Sequence, residues 1–222
     1  MVQCRGVRAM NGEHHLFEQG LEKLGVPVTE AQIRAFSLYL AELKKWSRVY
    51  NLTALRTDSD IIIKHFLDSL LFLKVLPGSV RTVADIGSGA GFPGIPMKIM
   101  RPDIDMLLVE PSQKKALFLE HILRTLRMEG IKVAHGRVEE LEGVLVDAAV
   151  TRALFSVQEF ISKAERILAE EGVLVLSKGP KVNDEVKQVR GRQISRHDFV
   201  LPFQDSLRHL IVVRRAPPRP QQ

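Results

Sequence analysis

Residues 83–94 read Val-Ala-Asp-Ile-Gly-Ser-Gly-Ala-Gly-Phe-Pro-Gly, a run that sets backbone permissiveness beside a carboxylate. A β-prone segment, 81–86, leads into it. Gly87, Gly89 and Gly91 form the turn, and Pro93 and Pro96 stand where a helix begins. Proline is tolerated in a first helical turn because its missing N–H would be unpaired there anyway. Glycines between a strand and a helix allow positive φ and let a ligand approach the main chain. The chemistry predicted is cofactor binding at the carboxyl edge of a parallel sheet. Residues 89–94 formally satisfy the dinucleotide pattern GxGxxG, which alone is a weak signal. Asp85 argues against a dinucleotide, because a carboxylate at the strand end repels a pyrophosphate.

Asp-x-Gly-x-Gly-x-Gly after a first strand resembles the S-adenosylmethionine loop of Rossmann-like methyltransferases. That cofactor has no phosphates and carries an ammonium and a sulfonium, so Asp85 becomes an asset. Glu110 ends the next β-prone run, about 20 residues beyond the glycines, where an acidic side chain addresses ribose hydroxyls. Pro111 and Ser112 then open a helix whose solvent side carries Lys114, Lys115, Arg124 and Arg127. Gly136-Arg137-Val138-Glu139 falls at the turn that meets the adenine ring in such sheets. Thr151-Arg152-Ala153 follows the fourth strand, where donor and acceptor meet. An arginine there orients a carboxylate, a phosphate or the O6/N7 edge of guanine. Lys178 adds a second cation to that edge. The chain has no Asn/Asp-Pro-Pro-Tyr/Phe motif for exocyclic amino groups and no Pro-Cys nucleophile, so covalent catalysis is not expected.

These groups need a scaffold, and its outline is legible. Residues 14–24 and 29–46 carry helical apolar spacing, and Thr29 with Gln32 forms a capping box for the second helix. A helix or helix pair covers 58–76 and sets His65 and Asp68 three residues apart on one face. Beyond Arg81, β runs at 82–86, 106–110, 132–134, 148–150 and 172–177 alternate with helices at 94–100, 113–128 and 158–169. That alternation predicts βαβ units and a parallel sheet. Runs at 193–200 and 207–213 read as a closing antiparallel pair. The expected fold is α/β and Rossmann-like, with a mostly parallel sheet, an antiparallel C-terminal strand and a helical N-terminal extension. The expected division is a disordered tail 1–12, a helical cap 13–80, a methyltransferase domain 81–214 and a disordered Pro/Arg tail 215–222.

Composition narrows the setting. The chain has 222 residues with a formal net charge of +6, and residues 151–222 hold thirteen basic against eight acidic side chains. A basic C-terminal third beside a near-neutral cofactor region suits a polyanion such as nucleic acid. A single cysteine, Cys4, excludes a disulfide framework and a cysteine-rich zinc site, and no metal is expected. No apolar run is long enough to span a membrane, and Arg5 and Arg8 precede no signal-like apolar segment. A cytoplasmic monomer with no obligate protein partner is expected. A reductase, a small-molecule methyltransferase and a non-catalytic RNA-binding protein remain as alternatives at this level.

Seven motifs together resemble one family, the small-subunit ribosomal RNA methyltransferase G (glucose-inhibited division protein B) family. They are Asn51-Leu52-Thr53, His65-Phe66-Leu67-Asp68-Ser69, residues 85–96, Lys114-Lys115, Arg137-Val138-Glu139-Glu140, Thr151-Arg152-Ala153 and Lys178-Gly179. The resemblance covers roughly residues 29–201, and the run Phe92-Pro93-Gly94-Ile95-Pro96 is its most specific part. It implies methyl transfer from S-adenosyl-L-methionine to N7 of a guanosine in bacterial 16S ribosomal RNA. It places cofactor contacts on Gly87, Phe92, Glu110, Pro111, Ser112, Val138, Glu139 and Arg152, to which the loop itself adds Asp85, Gly89 and Gly91. Arg152, His65 and Asp68 are expected to place the reactants, with no general base. Thr151 stands where the family usually has serine.

Overall fold

The computed structural model describes residues 11–152, 154–179 and 182–215. Seven strands form one sheet in the order β3-β2-β1-β4-β5-β7-β6. Strands β1 (Thr82–Ile86), β2 (Asp105–Glu110), β3 (Ile131–His135), β4 (Val146–Arg152) and β5 (Leu168–Lys178) run parallel. Strand β7 (Leu207–Arg215) lies antiparallel to β5, and β6 (Arg192–Val200) pairs antiparallel with β7 at the edge. The strand order reverses at β1 and β4, so their carboxyl ends open a crevice where α/β sheets bind ligands. Residues 83–94 lie at that point.

The leading residues form α1 (Asn11–Leu24), α2 (Glu30–Tyr50) and a composite helix. Thr29 caps α2 as its sequence predicts, accepting from the Gln32 amide while the Gln32 side chain returns to the Thr29 amide. The composite helix starts as α3 (Asp58–Ile61), widens into a π-helical turn over Ile62–Leu67, and continues as α4 (Asp68–Leu70) and a 3₁₀ turn over Leu71–Lys74. These helices share a hydrophobic core with α5 (Gly94–Met100), α6 (Gln113–Thr125) and one face of the sheet. Gln32 donates to the Ile99 carbonyl at 3.1 Å, and Glu42 meets His121 at 2.6 Å. The opposite face is covered by α7 (Val157–Ala164) and α8 (Val182–Gln188).

Aromatic rings carry the contact from the N-terminal helices to the glycine turn. Phe17 packs on Phe36 at 4.6 Å, Phe36 on Phe66 at 5.1 Å, and Tyr39 stacks between Phe66 and Phe92, 5.4 Å from each. The Tyr39 hydroxyl donates to the Ala90 carbonyl inside the turn. Gly91 (φ +97°) is required by this packing, since a Cβ there would lie 2.7 Å from the Tyr39 oxygen and 2.4 Å from Ile95.

Several boundaries differ from the sequence expectation. Asn11 and Gly12, expected to belong to a tail, are part of α1. Residues 1–10 and 216–222 lie outside the described residues. The helix expected over 158–169 stops at Ala164, and Leu168 already pairs with Val146 of β4. The helix from Gln113 ends at Thr125, where Arg127 turns left-handed (φ +51°) and the Met128 amide returns to the Leu123 carbonyl. Helix α8 had no foreseen counterpart.

Replacing Tyr39 by Phe leaves the ring stack intact and strands the Ala90 carbonyl in a dry interior. The expected loss is about 1–2 kcal/mol in urea unfolding. An unchanged midpoint would show that the Tyr39–Ala90 bond contributes nothing.

Candidate functional site

The turn after β1 is tied to β2 before any ligand is considered. The Gly87 and Ser88 amides both donate to the Val109 carbonyl, at 2.8 and 3.1 Å. Glu110, at the end of β2, accepts from the Gly89 amide through Oε2 at 2.7 Å and from the Ser112 amide through Oε1 at 2.9 Å. Asp85 accepts the Gly94 amide through Oδ2 at 2.9 Å. Gly94 permits that approach, because a Cβ there would lie 2.8 Å from the same oxygen. The two carboxylates thus hold the two ends of one loop.

Asp85 is fully buried, and its second oxygen, Oδ1, has no hydrogen-bond partner among the described residues. Burial pushes its pKa up to about 7, against the Gly94 amide and the nearby Arg152 charge. An unpaired buried carboxylate oxygen is costly unless a partner completes it. At Gly87 the turn borders a cleft of about 260 Å³, lined also by Val109, Pro111, Val138, Glu139 and Leu154. Apolar walls with a few polar groups at the rim suit an adenosine, and the orphaned carboxylate oxygen suits a cation. These residues fit a cofactor that joins an adenosine to a positively charged amino acid.

The second part of the site is built around Arg152 at the end of β4. Its Nη1 donates to the Lys64 carbonyl at 3.0 Å and lies 3.4 Å from Asp68 Oδ2. Its Nη2 donates to His65 Nδ1 at 2.8 Å, and the guanidinium lies over the Phe92 ring, 5.2 Å from its centroid. Three of these partners belong to the composite helix at or just past its π turn, a form of helix common at functional positions. Because arginine only donates, His65 accepts through Nδ1, and its Nε2–H points to the Thr53 hydroxyl at 2.7 Å. Burial, then the Arg152 charge, lowers the His65 pKa to about 3, so the imidazole is neutral. It stacks on Phe92 at 4.4 Å. Asp68 is pushed upward by burial, while Arg152 and Arg208 oppose that shift. Arg208 Nε donates to Asp68 Oδ1 at 2.9 Å.

The residues predicted from sequence are therefore divided between two clusters. Asp85, Gly87, Gly89, Glu110, Pro111, Ser112, Val138 and Glu139 surround the loop and cleft. His65, Asp68, Phe92 and Arg152 form the other cluster, and Asp85 lies between the two. Gly91 and the Phe92 ring are engaged by core packing. The Glu139 carboxylate is ion-paired with Lys163 at the rim. Lys178 is turned to the Phe155 carbonyl and Glu185, at 2.7 and 2.9 Å, and serves to fasten β5 to α8. The Thr151 hydroxyl donates to the Ile86 carbonyl at 2.9 Å, joining β4 to the root of the glycine turn. Arg208 went unforeseen, being 140 positions from its partner Asp68 with no local motif around it. Among the described residues no cluster of His, Cys, Asp or Glu could hold a metal ion.

Asp85 makes stability pH-dependent in a definite direction. A carboxyl raised in the folded state stabilises below its unfolded pKa, and that contribution is lost as pH rises through the folded value. Asp85→Asn keeps an acceptor for Gly94 and removes the titration. From about pH 5 to about pH 7 the variant should gain on the wild type by up to about 1.4 kcal/mol per pH unit, read by denaturant unfolding without ligand. A stability difference flat across that range would refute the raised Asp85.

Comparison with known proteins fits this geometry. The family described as GidB, rRNA small subunit methyltransferase G, matches residues 32–211. A protein of Geobacter sp. (strain M21) named ribosomal RNA small subunit methyltransferase G is 37% identical over 210 residues, covering 90% of this chain and 96% of that protein. A protein of the same name from Neisseria meningitidis serogroup B is 33% identical over 200 residues, covering 88% and 95%. Among solved structures, a methyltransferase from Pyrococcus furiosus shares the fold with a TM-score of 0.56 at 13% identity, covering 80% of this chain and 95% of that one. The structure of TYW2 from M. jannaschii in complex with AdoMet has a TM-score of 0.51 at 12% identity, covering 68% and 76%. The chain belongs to the rRNA small subunit methyltransferase G (GidB) family.

Proposed function

We propose that this protein transfers the methyl group of S-adenosyl-L-methionine to N7 of a guanosine in bacterial 16S ribosomal RNA. The observation that carries the cofactor reading is the pair of carboxylates, Asp85 and Glu110, that tie down the glycine turn beside an apolar cleft. Val138 and Pro111 would flank the adenine, with Glu139 at its edge. Glu110 would take the ribose hydroxyls, and Asp85, with Gly87 and Gly89, would take the amino-acid end. Bound there, the cofactor supplies a methyl group on a positively charged sulfur.

Guanine N7 has a free lone pair and no proton to lose, so the protein need not supply a base. A neutral His65 and an anchored Arg152 suit that demand. The work left to the chain is alignment and exclusion of water, which lower the barrier by holding the reactants in a near-attack geometry. Arg152 is the element that holds the composite helix against the sheet edge, and with His65 and Asp68 it would border the guanosine. Action on ribosomal RNA fits a cytoplasmic protein whose substrate is the small subunit or its RNA.

Labelled S-adenosyl-L-methionine incubated with unmodified small subunits should place the label on N7 of a guanosine, mapped by chemical cleavage at the modified base. Arg152→Ala should lower kcat/KM by roughly a hundredfold, as misplacement of reactants does. A variant as fast as the wild type would remove Arg152 from the reaction, and label on any other position would overturn the N7 assignment.

A further inference from the structure

A second cavity, of about 190 Å³, lies between the end of α2 and the 51–57 loop. Lys44, Ser47, Arg48, Thr53 and Arg56 contribute to its wall. Nothing in the reaction described above uses it. Its charges are unevenly satisfied. Lys44 is matched by Asp58 at 2.6 Å. Arg48 and Arg56 are exposed and have no ion pair or hydrogen bond among the described residues. Ser47 is only 8% exposed, and its hydroxyl oxygen is one of two buried side-chain polar atoms left without a partner there. A buried hydroxyl without a partner costs free energy that an acceptor in the cavity would recover. Two unpaired guanidiniums and a recessed hydroxyl free to donate, all lining one cavity, fit a tetrahedral oxyanion.

The cavity also adjoins the reaction site. Thr53 lines it, and the Thr53 hydroxyl is the partner of His65 Nε2, whose other nitrogen meets Arg152. An anion held here would sit one side chain away from the Arg152 cluster. We propose that this cavity is a phosphate subsite for the RNA acceptor, holding a backbone phosphodiester near the target guanosine through Arg48, Arg56 and Ser47. A phosphate contact carries no sequence information; it fixes register and orientation. The subsite would let the cap hold the strand while the cleft across Arg152 holds the donor. This inference rests on RNA being the acceptor.

The test measures binding and methyl transfer separately with the full chain. Small-subunit RNA is titrated by filter binding at several salt concentrations, and small subunits are methylated under saturating cofactor. For Arg48→Ala/Arg56→Ala the RNA Kd should rise about tenfold and the slope of log Kd against log salt should fall by about two. The KM for subunits should rise in parallel, with affinity for S-adenosyl-L-methionine unaltered. Ser47→Ala, which changes no charge, should weaken RNA binding about threefold with the salt slope preserved. An unaltered RNA Kd in the double variant overturns the subsite, as does a loss confined to kcat with lowered thermal stability. An unaltered Kd in Ser47→Ala overturns the placement of the phosphate within the cavity. If the wild type binds RNA and transfers no methyl group, the functional reading falls, and the binding measurements still decide the subsite.

Discussion

A guanidinium at the carboxyl end of the central strand has to be kept charged, oriented and largely out of water. Arg152 is satisfied by a carbonyl, a carboxylate, a neutral imidazole and an aromatic face, each supplied by a different residue. Three of those partners come from one helix, and the π turn within it places a carbonyl, a ring nitrogen and a carboxylate within reach together. The helix is thereby fixed to the sheet through its polar side as well as its apolar one. Asp68 extends the arrangement to Arg208 on the antiparallel strand β7. One cation thus joins the N-terminal helices, the parallel sheet and, through Asp68, its antiparallel edge.

The aromatic column supports the same point from the opposite direction. Phe66, Tyr39 and Phe92 are stacked in succession, and Phe92 presents its ring to both His65 and Arg152. The glycine turn is consequently shaped by the core as much as by a ligand. Gly91 and Gly94 admit the Tyr39 hydroxyl and the Asp85 carboxylate respectively, while the cleft lies beside Gly87. Part of a cofactor motif here is a packing motif between a helical cap and a sheet.

The sheet was legible because short continuous apolar runs, glycine turns and strand-end acids are local signals. The capping box at Thr29 and the proximity of His65 and Asp68 were legible for the same reason. What stayed hidden depends on contacts far apart in sequence. The π turn has no residue signature. Arg208 reaches Asp68 only after the last strand folds back, and Lys178 is drawn off to Glu185 by a helix that few apolar residues announce. The helix expected to reach residue 169 ended early because pairing of Leu168 with Val146 outweighs local helical spacing. Glu139 and Phe92 were found by motif, whereas their engagement with Lys163 and with the ring stack is tertiary.

Glu110 already commits one oxygen to each of two backbone amides, those of Gly89 and Ser112. The ribose diol proposed to bind there would find the carboxylate immobilised, with lone pairs remaining on both oxygens. The conformational entropy of arranging that acceptor is therefore lost when the chain folds and not when the ligand arrives, which raises affinity without adding any contact. If Glu110 takes the ribose as proposed, substitution there removes two things at once, an acceptor for the sugar and the clasp on the loop. Losses of affinity measured there report architecture and recognition together.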